Sequence, residues 1–201
     1  TTLPTGTAWS GEISYRPNMP LNINGTDMTG KLANTVVEGL NSGGFAGALG
    51  TAGKVSKGYN RKEVTQAQTT FTHFFDQVMG AERLTLVGEV GWTHVGGLES
   101  NSEARYGRDP SYGPGPLPNN QCVTLNSGTL AGGPQNNVSR YCENDGFTTA
   151  NSWGYRLRAV LDYNSVFAGV NLKPSLSWSH DVDGYGPTFN EGNKAISLGL
   201  D

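Results

Sequence analysis

Three histidines, two cysteines and a set of charged residues are the groups with chemistry to offer. His73, His94 and His180 are far apart in the chain, each at or near the end of a segment that reads as extended, with no nucleophile beside it. His94 and His180 each follow a tryptophan (Trp92, Trp178) by two residues, which suits an aqueous rim better than a catalytic triad. There is no Gly-x-Ser-x-Gly elbow, no His-Glu-x-x-His zinc motif and no glycine-rich phosphate loop. The chain is therefore expected not to be an enzyme, and no cofactor or metal is implied. Asp181-Val182-Asp183-Gly184 matches the start of a calcium loop but lacks the later ligands, so a turn built on Asp and Gly is the preferred reading. Cys122 and Cys142 lie in one polar stretch, a spacing that fits a loop-closing disulfide in an oxidising compartment; the alternative is two unpaired thiols.

The charges have a pattern. Glu12, Arg16, Glu89, Arg156, Arg158, Asp162 and Lys173 all oppose rows of apolar residues at a spacing of two. Trp153, Tyr155, Leu157, Ala159, Leu161 and Tyr163 form one such row, against Arg156, Arg158 and Asp162. Leu84, Leu86, Val90 and Trp92 oppose Arg83, Thr85, Glu89 and Thr93, with Val87 as the exception. Trp9, Ile13 and Tyr15 oppose Ser10, Glu12, Ser14 and Arg16. Val170, Leu172, Pro174, Leu176 and Trp178 oppose Asn171, Lys173 and three serines. In Gln66–Phe75 the alternation is weaker, and His73 falls on the apolar row. The expected strands lie near 8–16, 65–75, 83–93, 152–163, 169–179 and 194–201.

Alternation alone fits a soluble β-sandwich as well as a membrane barrel, and three features favour the barrel. Trp153 and Tyr163 bracket an aliphatic stretch about 33 Å long at ~3.3 Å per residue, or roughly 25 Å along the normal at a ~40° tilt. Trp9, Tyr15, Trp92 and Trp178 likewise fall at expected strand ends on the apolar side, where an amphipathic ring meets both lipid and water. The charged row has mixed signs that could pair across a lumen. The connections alternate in length: 17–63, 94–151 and 181–194 are long, whereas 76–82 and 164–169 are short and carry turn residues. Short periplasmic turns and long extracellular loops produce that order.

Composition agrees. The 201 residues include 29 glycines and 10 prolines, only 35% are hydrophobic, and mean hydropathy is −0.42. No apolar run approaches the ~18–20 residues of a membrane helix, whereas a barrel strand needs only every second residue apolar. A net charge of −3 offers no footprint for nucleic acid. Six strands cannot close such a barrel, whose smallest examples have about eight. The chain, 1–201, is thus expected to be one partial outer-membrane β-barrel domain of all-β, antiparallel class, with closure by several copies as the alternative.

The loops add detail. Within 17–63, Leu32, Val36, Val37 and Leu40 follow Thr26-Asp27-Met28-Thr29, which reads equally as a short amphipathic helix or an ordered loop with apolar anchors. Within 94–151, Pro110, Pro114, Pro116, Pro118 and Pro134 surround the cysteines, as in a rigid loop at a pore entrance. Asn24-Gly25-Thr26 and Asn137-Val138-Ser139 match the glycosylation triplet and are read as chance in a bacterial barrel.

Ser14-Tyr15-Arg16-Pro17-Asn18-Met19-Pro20-Leu21, Leu84-Thr85-Leu86-Val87-Gly88-Glu89, Trp178-Ser179-His180-Asp181-Val182 and Asn190-Glu191-Gly192 resemble a large outer-membrane family of Gram-negative bacteria catalogued as domain of unknown function 1302. The resemblance implies a barrel akin to long-chain fatty-acid transporters, with this chain toward the C-terminal part of a longer protein. It also implies traffic of hydrophobic small molecules or lipids, and partnership with a periplasmic lipid-carrier-like protein and an inner-membrane exporter. It carries no agreed ligand or catalytic residues. The residues alone would suit a general porin equally well. The alternative function is a structural barrel with a plugged lumen, whose external loops bind partners.

Overall fold

The computed structural model describes residues 1–50, 53, 55, 57–109, 112–117, 121–123 and 141–201. Among the expectations above, Pro110, Pro118, Pro134 and the triplet Asn137-Val138-Ser139 lie outside the described residues. The chain forms β1 (Ala8–Asn22), α1 (Gly25–Leu49), β2 (Tyr59–Val78), β3 (Ala81–Gly96), β4 (Asn151–Phe167), β5 (Val170–Leu172), β6 (Pro174–Asp183) and β7 (Lys194–Leu200). One sheet holds all the strands in the order β1-β2-β3-β4-β6-β7, with β5 on β4. The ladders from β2 through β7 are antiparallel. Among the described residues β1 and β7 are the ends of this order, so the sheet is open. Among the described residues no helix is long and apolar enough to cross a membrane.

The expected single domain divides into two compact units, one of 1–17, 63–96 and 149–201, the other of 18–62 and 97–148. The strands also run longer than expected, β2 covering Tyr59–Val78 rather than 65–75. The turns explain part of this. β2 and β3 meet across Met79-Gly80, and β4 and β5 across Ala168-Gly169, each a two-residue connection between paired strand ends. All four turn residues have positive φ (55°, 78°, 47° and 80°), the primed geometry that matches the twist of a tight hairpin. The strand expected over 169–179 is broken at Lys173 into β5 and β6, and β6 continues to Asp183.

Register confirms the two faces within the first unit. Leu84, Leu86, Val90 and Trp92 stand opposite Leu161, Ala159, Tyr155 and Trp153. Leu157 stands opposite Trp178, and Leu176 and Trp178 oppose Leu198 and Ile196. Phe71, His73 and Phe75 join the same face through Gly88, Leu86 and Leu84, so His73 does sit in the apolar row. That face is uncovered: Leu157 is 50% exposed, Ile196 67% and Leu198 78%. The fully buried side chains of this unit are few, and Val64, Val95, Thr93 and Ser152 lie near the ends of the strands rather than along them.

The second unit carries α1. Asn24 caps it, its Oδ1 accepting from the Thr26 and Asp27 amides at 3.0 and 3.4 Å, while its side-chain amide donates to Gly107 O. Asn24 is 5% exposed, which agrees with reading its triplet as chance. The helix spans far more than Thr26–Leu40 and kinks at Gly43-Gly44, where Gly44 takes φ 58°. Leu32, Val36, Val37 and Leu40 remain about half exposed rather than anchored in this unit. Arg105 pairs with Asp27, and Arg105 and Arg108 lie 4.7 and 4.6 Å from the Phe147 ring centroid. Arg108 also donates to the carbonyls of Gly113, Glu143 and Asp145. Cys122 and Cys142 form a disulfide with Cα atoms 5.7 Å apart.

Candidate functional site

The polar face of the sheet gathers most of the charged residues read from the sequence. Arg83, Val87 and Glu89 on β3 stand opposite Asp162, Arg158 and Arg156 on β4, and Arg158 and Arg156 stand opposite Ser177 and Ser179 on β6. Opposite charges do pair, but between neighbouring segments of the one sheet and with partners that register alone does not name. Arg156 pairs not with Glu89, its neighbour on β3, but with Asp181 on β6 on its other side, at 2.7 Å. Lys173 pairs with Asp162 at 3.2 Å, Arg83 with Asp76 at 3.6 Å, and Glu89 accepts from Thr70. Among the described residues Arg158 has no carboxylate within ion-pair reach; with Glu89, Ser177, Ser179 and Ser197 it lines a hollow of about 330 Å³. Glu12 and Arg16 line a second hollow of about 210 Å³ with Gln66, Gln68, Gly91 and Phe189.

The least expected feature is the segment after β6, read from the sequence as an external loop. It folds back onto the polar face as a hairpin, with Tyr185 bridged to Asn190 and the Gly186 amide donating to Phe189 O at 2.9 Å. Phe189, 7% exposed, lies over Gly91 and Gly154, which are register partners on β3 and β4. A Cβ at Gly91 would sit 2.9 Å from the Phe189 ring, and one at Gly154 3.0 Å from it. Two facing glycines thus open the slot the ring fills. Carboxylates pin the rest: Asp181 takes Arg156 on one oxygen and the Asn190 amide on the other, and Glu191 accepts from the Gly184 amide at 3.0 Å. Thr188 accepts from Gln66 at 2.7 Å. Both Asp181 carboxylate oxygens are therefore engaged by protein groups.

The aromatic residues separate into two groups. Trp92 and Trp153 face each other across β3 and β4 near one end of the strands. Tyr163 lies near the other end, its hydroxyl donating to Met79 O in the turn. Trp178 departs from the expected belt: because β6 runs on to Asp183, Trp178 stands mid-strand beside Leu157 and donates to the Tyr155 hydroxyl at 3.2 Å. Tyr15 is likewise inside a strand, since β1 continues to Asn22, while Trp9 near its start donates to Thr69 Oγ1 at 2.7 Å. The histidines stay apart. His73 bonds Thr7, His94 bonds Asn151 and stacks on Trp92, and His180 packs edge-on against Tyr155.

In the second unit Glu99 accepts from Lys62 and from the Tyr106 hydroxyl, both at 2.6 Å, and Asn60 donates to that hydroxyl at 2.7 Å. The Lys62 bond, then that of Tyr106, holds the Glu99 carboxyl down to about 2. Burial, then the bond to Glu99, pushes the Tyr106 phenol up. This cluster ties β2 to the segment after β3. Sequence reasoning missed it, and missed Gly91, Gly154 and Phe189; the Asn190-Glu191-Gly192 motif was the available signal.

No curated protein and no solved structure matches the chain. The family described as protein of unknown function (DUF1302) matches residues 1–201, and the chain belongs to it.

Proposed function

We propose that this sheet is an arc of a transmembrane β-barrel in the outer membrane of a Gram-negative bacterium, and that its polar face lines a route for hydrophobic small molecules or lipids. One observation carries the reading: a single sheet leaves a continuous row of leucine, isoleucine and tryptophan uncovered, while its other face carries ion pairs, serines and glutamines. In water that row would be a large aggregation-prone patch; in a bilayer it is the surface that acyl chains solvate, and charges belong inside. Further strands pair with the open edges of β1 and β7, since each unpaired backbone group in hydrocarbon costs several kcal/mol. The two-residue turns at Met79-Gly80 and Ala168-Gly169 face the periplasm, and the long connections face outward. The role is passage rather than catalysis. The hydrophobic cargo, the periplasmic carrier and the inner-membrane exporter rest on family resemblance.

Conductance of the full-length protein in planar bilayers tests the route. Arg156→Ala with Arg158→Ala should change single-channel conductance or ion selectivity, because both guanidiniums stand on the polar face. An unchanged record from a folded double variant contradicts it. Loss of uptake of an apolar compound in a deletion strain separates the transport reading from a purely structural barrel.

A further inference from the structure

We propose that the hairpin of residues 184–193 is the constriction of this route, and that the slot between Gly91 and Gly154 is the socket that seats it through Phe189. The inference rests on the proposed function, because a hairpin on the polar face narrows a lumen only if that face is a lumen.

Three independent features support it. The socket is built into the sheet: Gly91 and Gly154 are cross-strand partners, and side chains at either would occupy the volume of the Phe189 ring. The ring is buried while the tip, Pro187-Thr188, is exposed and tied to β2 through the Gln66 bond to Thr188, so the hairpin stands on the sheet at Phe189 and extends across the polar face toward β2. Its base is latched by charge, with Asp181 bridging Arg156 and the Asn190 amide while Glu191 holds Gly184. A loop with no function would have no need of a two-strand glycine slot, since glycine in a strand interior weakens the strand and commonly marks close approach of another group. Immediately along β4 from the socket lie Arg156 and then Arg158, which among the described residues has no carboxylate within ion-pair reach, so whatever passes the hairpin meets that guanidinium next. A permeant molecule must therefore clear the hairpin tip, and the seating of Phe189 sets the gap.

The test uses the full-length protein in two assays. Phe189→Ala removes the anchor. Gly91→Leu fills the socket from a position where the nearest atoms to an added Cβ all belong to the Phe189 ring, whereas Gly154 also faces the His180 carbonyl. Combining the two places leucine where the ring was and should restore the seat. Amide hydrogen exchange at Gly186 and Asn190 reports seating; each single variant should exchange roughly a hundredfold faster or more, as expected for losing a buried aromatic contact. Planar-bilayer recordings report the constriction: both single variants should show higher conductance than wild type, and the double variant a value back toward it. Wild type closed but single variants open also supports the proposal, with the hairpin acting as a plug. Single variants that lose amide protection yet conduct like wild type overturn the constriction while leaving the route standing. Variants that keep full protection overturn the socket. Absence of current from wild type and every variant overturns the route itself, and the constriction with it.

Discussion

Replacing Leu157 with arginine is the sharpest perturbation of the face assignment. Leu157 is half exposed, in a row with Gly88 and Trp178 across the neighbouring strands. It lies about 13 Å along β4 from Trp153 and about 20 Å from Tyr163 at ~3.3 Å per residue. At a ~40° tilt these become about 10 and 15 Å along the membrane normal, within about 3 Å of the middle of a ~25 Å apolar band. An arginine there should cost about 2–4 kcal/mol, since it can neither pair nor reach either interface without distortion. Thr72→Arg is the control. Thr72 belongs to the opposite row, level with Val87 and Arg158, where an added guanidinium stays in water and should cost no more than about 0.5 kcal/mol. The assay is reversible urea unfolding of the full-length protein in phospholipid vesicles, followed by tryptophan fluorescence. A Leu157→Arg cost under about 1 kcal/mol, or equal costs at the two positions, would refute the reasoning.

Other outcomes follow from the second unit. Glu99 has its carboxyl held at about 2, below the usual carboxylate range, so the stability it adds is present above the unfolded-state value and is lost as pH falls toward 2. Acid unfolding of Glu99→Gln should therefore show a flatter pH dependence between about 5 and 2, the difference being about 1–2 kcal/mol once solvent screening of a partly exposed carboxylate is allowed for. Cys122→Ser with Cys142→Ser should lower the stability of this unit by about 3 kcal/mol from loop entropy alone, read as a fall in melting temperature that reductant reproduces in the parent protein. Arg105→Ala leaves Asp27 without its partner and uncovers Phe147, so it should destabilise by about 3 kcal/mol or more; Arg105→Lys, which keeps charge but not the planar fork, should recover only part of this.

The sheet was legible in the sequence because its information is local. A period of two survives any uncertainty about neighbours, so Trp153 to Tyr163 declared both its faces, and even His73 sat where the alternation put it. The tight turns were legible in position but not in length, since Met79 and Ala168 are not residues that announce a left-handed backbone. What could not be read depends on register and on return of the chain. Gly91 and Gly154 look like two unrelated strand glycines until β3 and β4 are paired, and only then do they form a slot. The 184–193 hairpin carries no periodicity, so nothing local told that it seats on the sheet rather than leaving it. Trp178 was misplaced for the same reason: its level depends on where β6 ends, and that strand runs on because Asp181 and Asp183 pair with Gly154 and Trp153 of β4. In the second unit, the convergence of Arg105 and Arg108 on Phe147 brings together residues about forty positions apart, which no pattern of spacing encodes.

Accessibility of spin labels along one strand tests the central claim most directly. With single cysteines placed in turn from Gly154 to Asp162 in the vesicle-reconstituted protein, labels at Leu157, Ala159 and Leu161 should collide with dissolved oxygen and be shielded from a water-soluble nickel complex. Those at Arg156, Arg158 and Val160 should show the reverse. A strand whose leucine positions are shielded from both reagents, or open to the nickel complex, would mean that this row packs on protein or faces water, and the barrel account would be wrong.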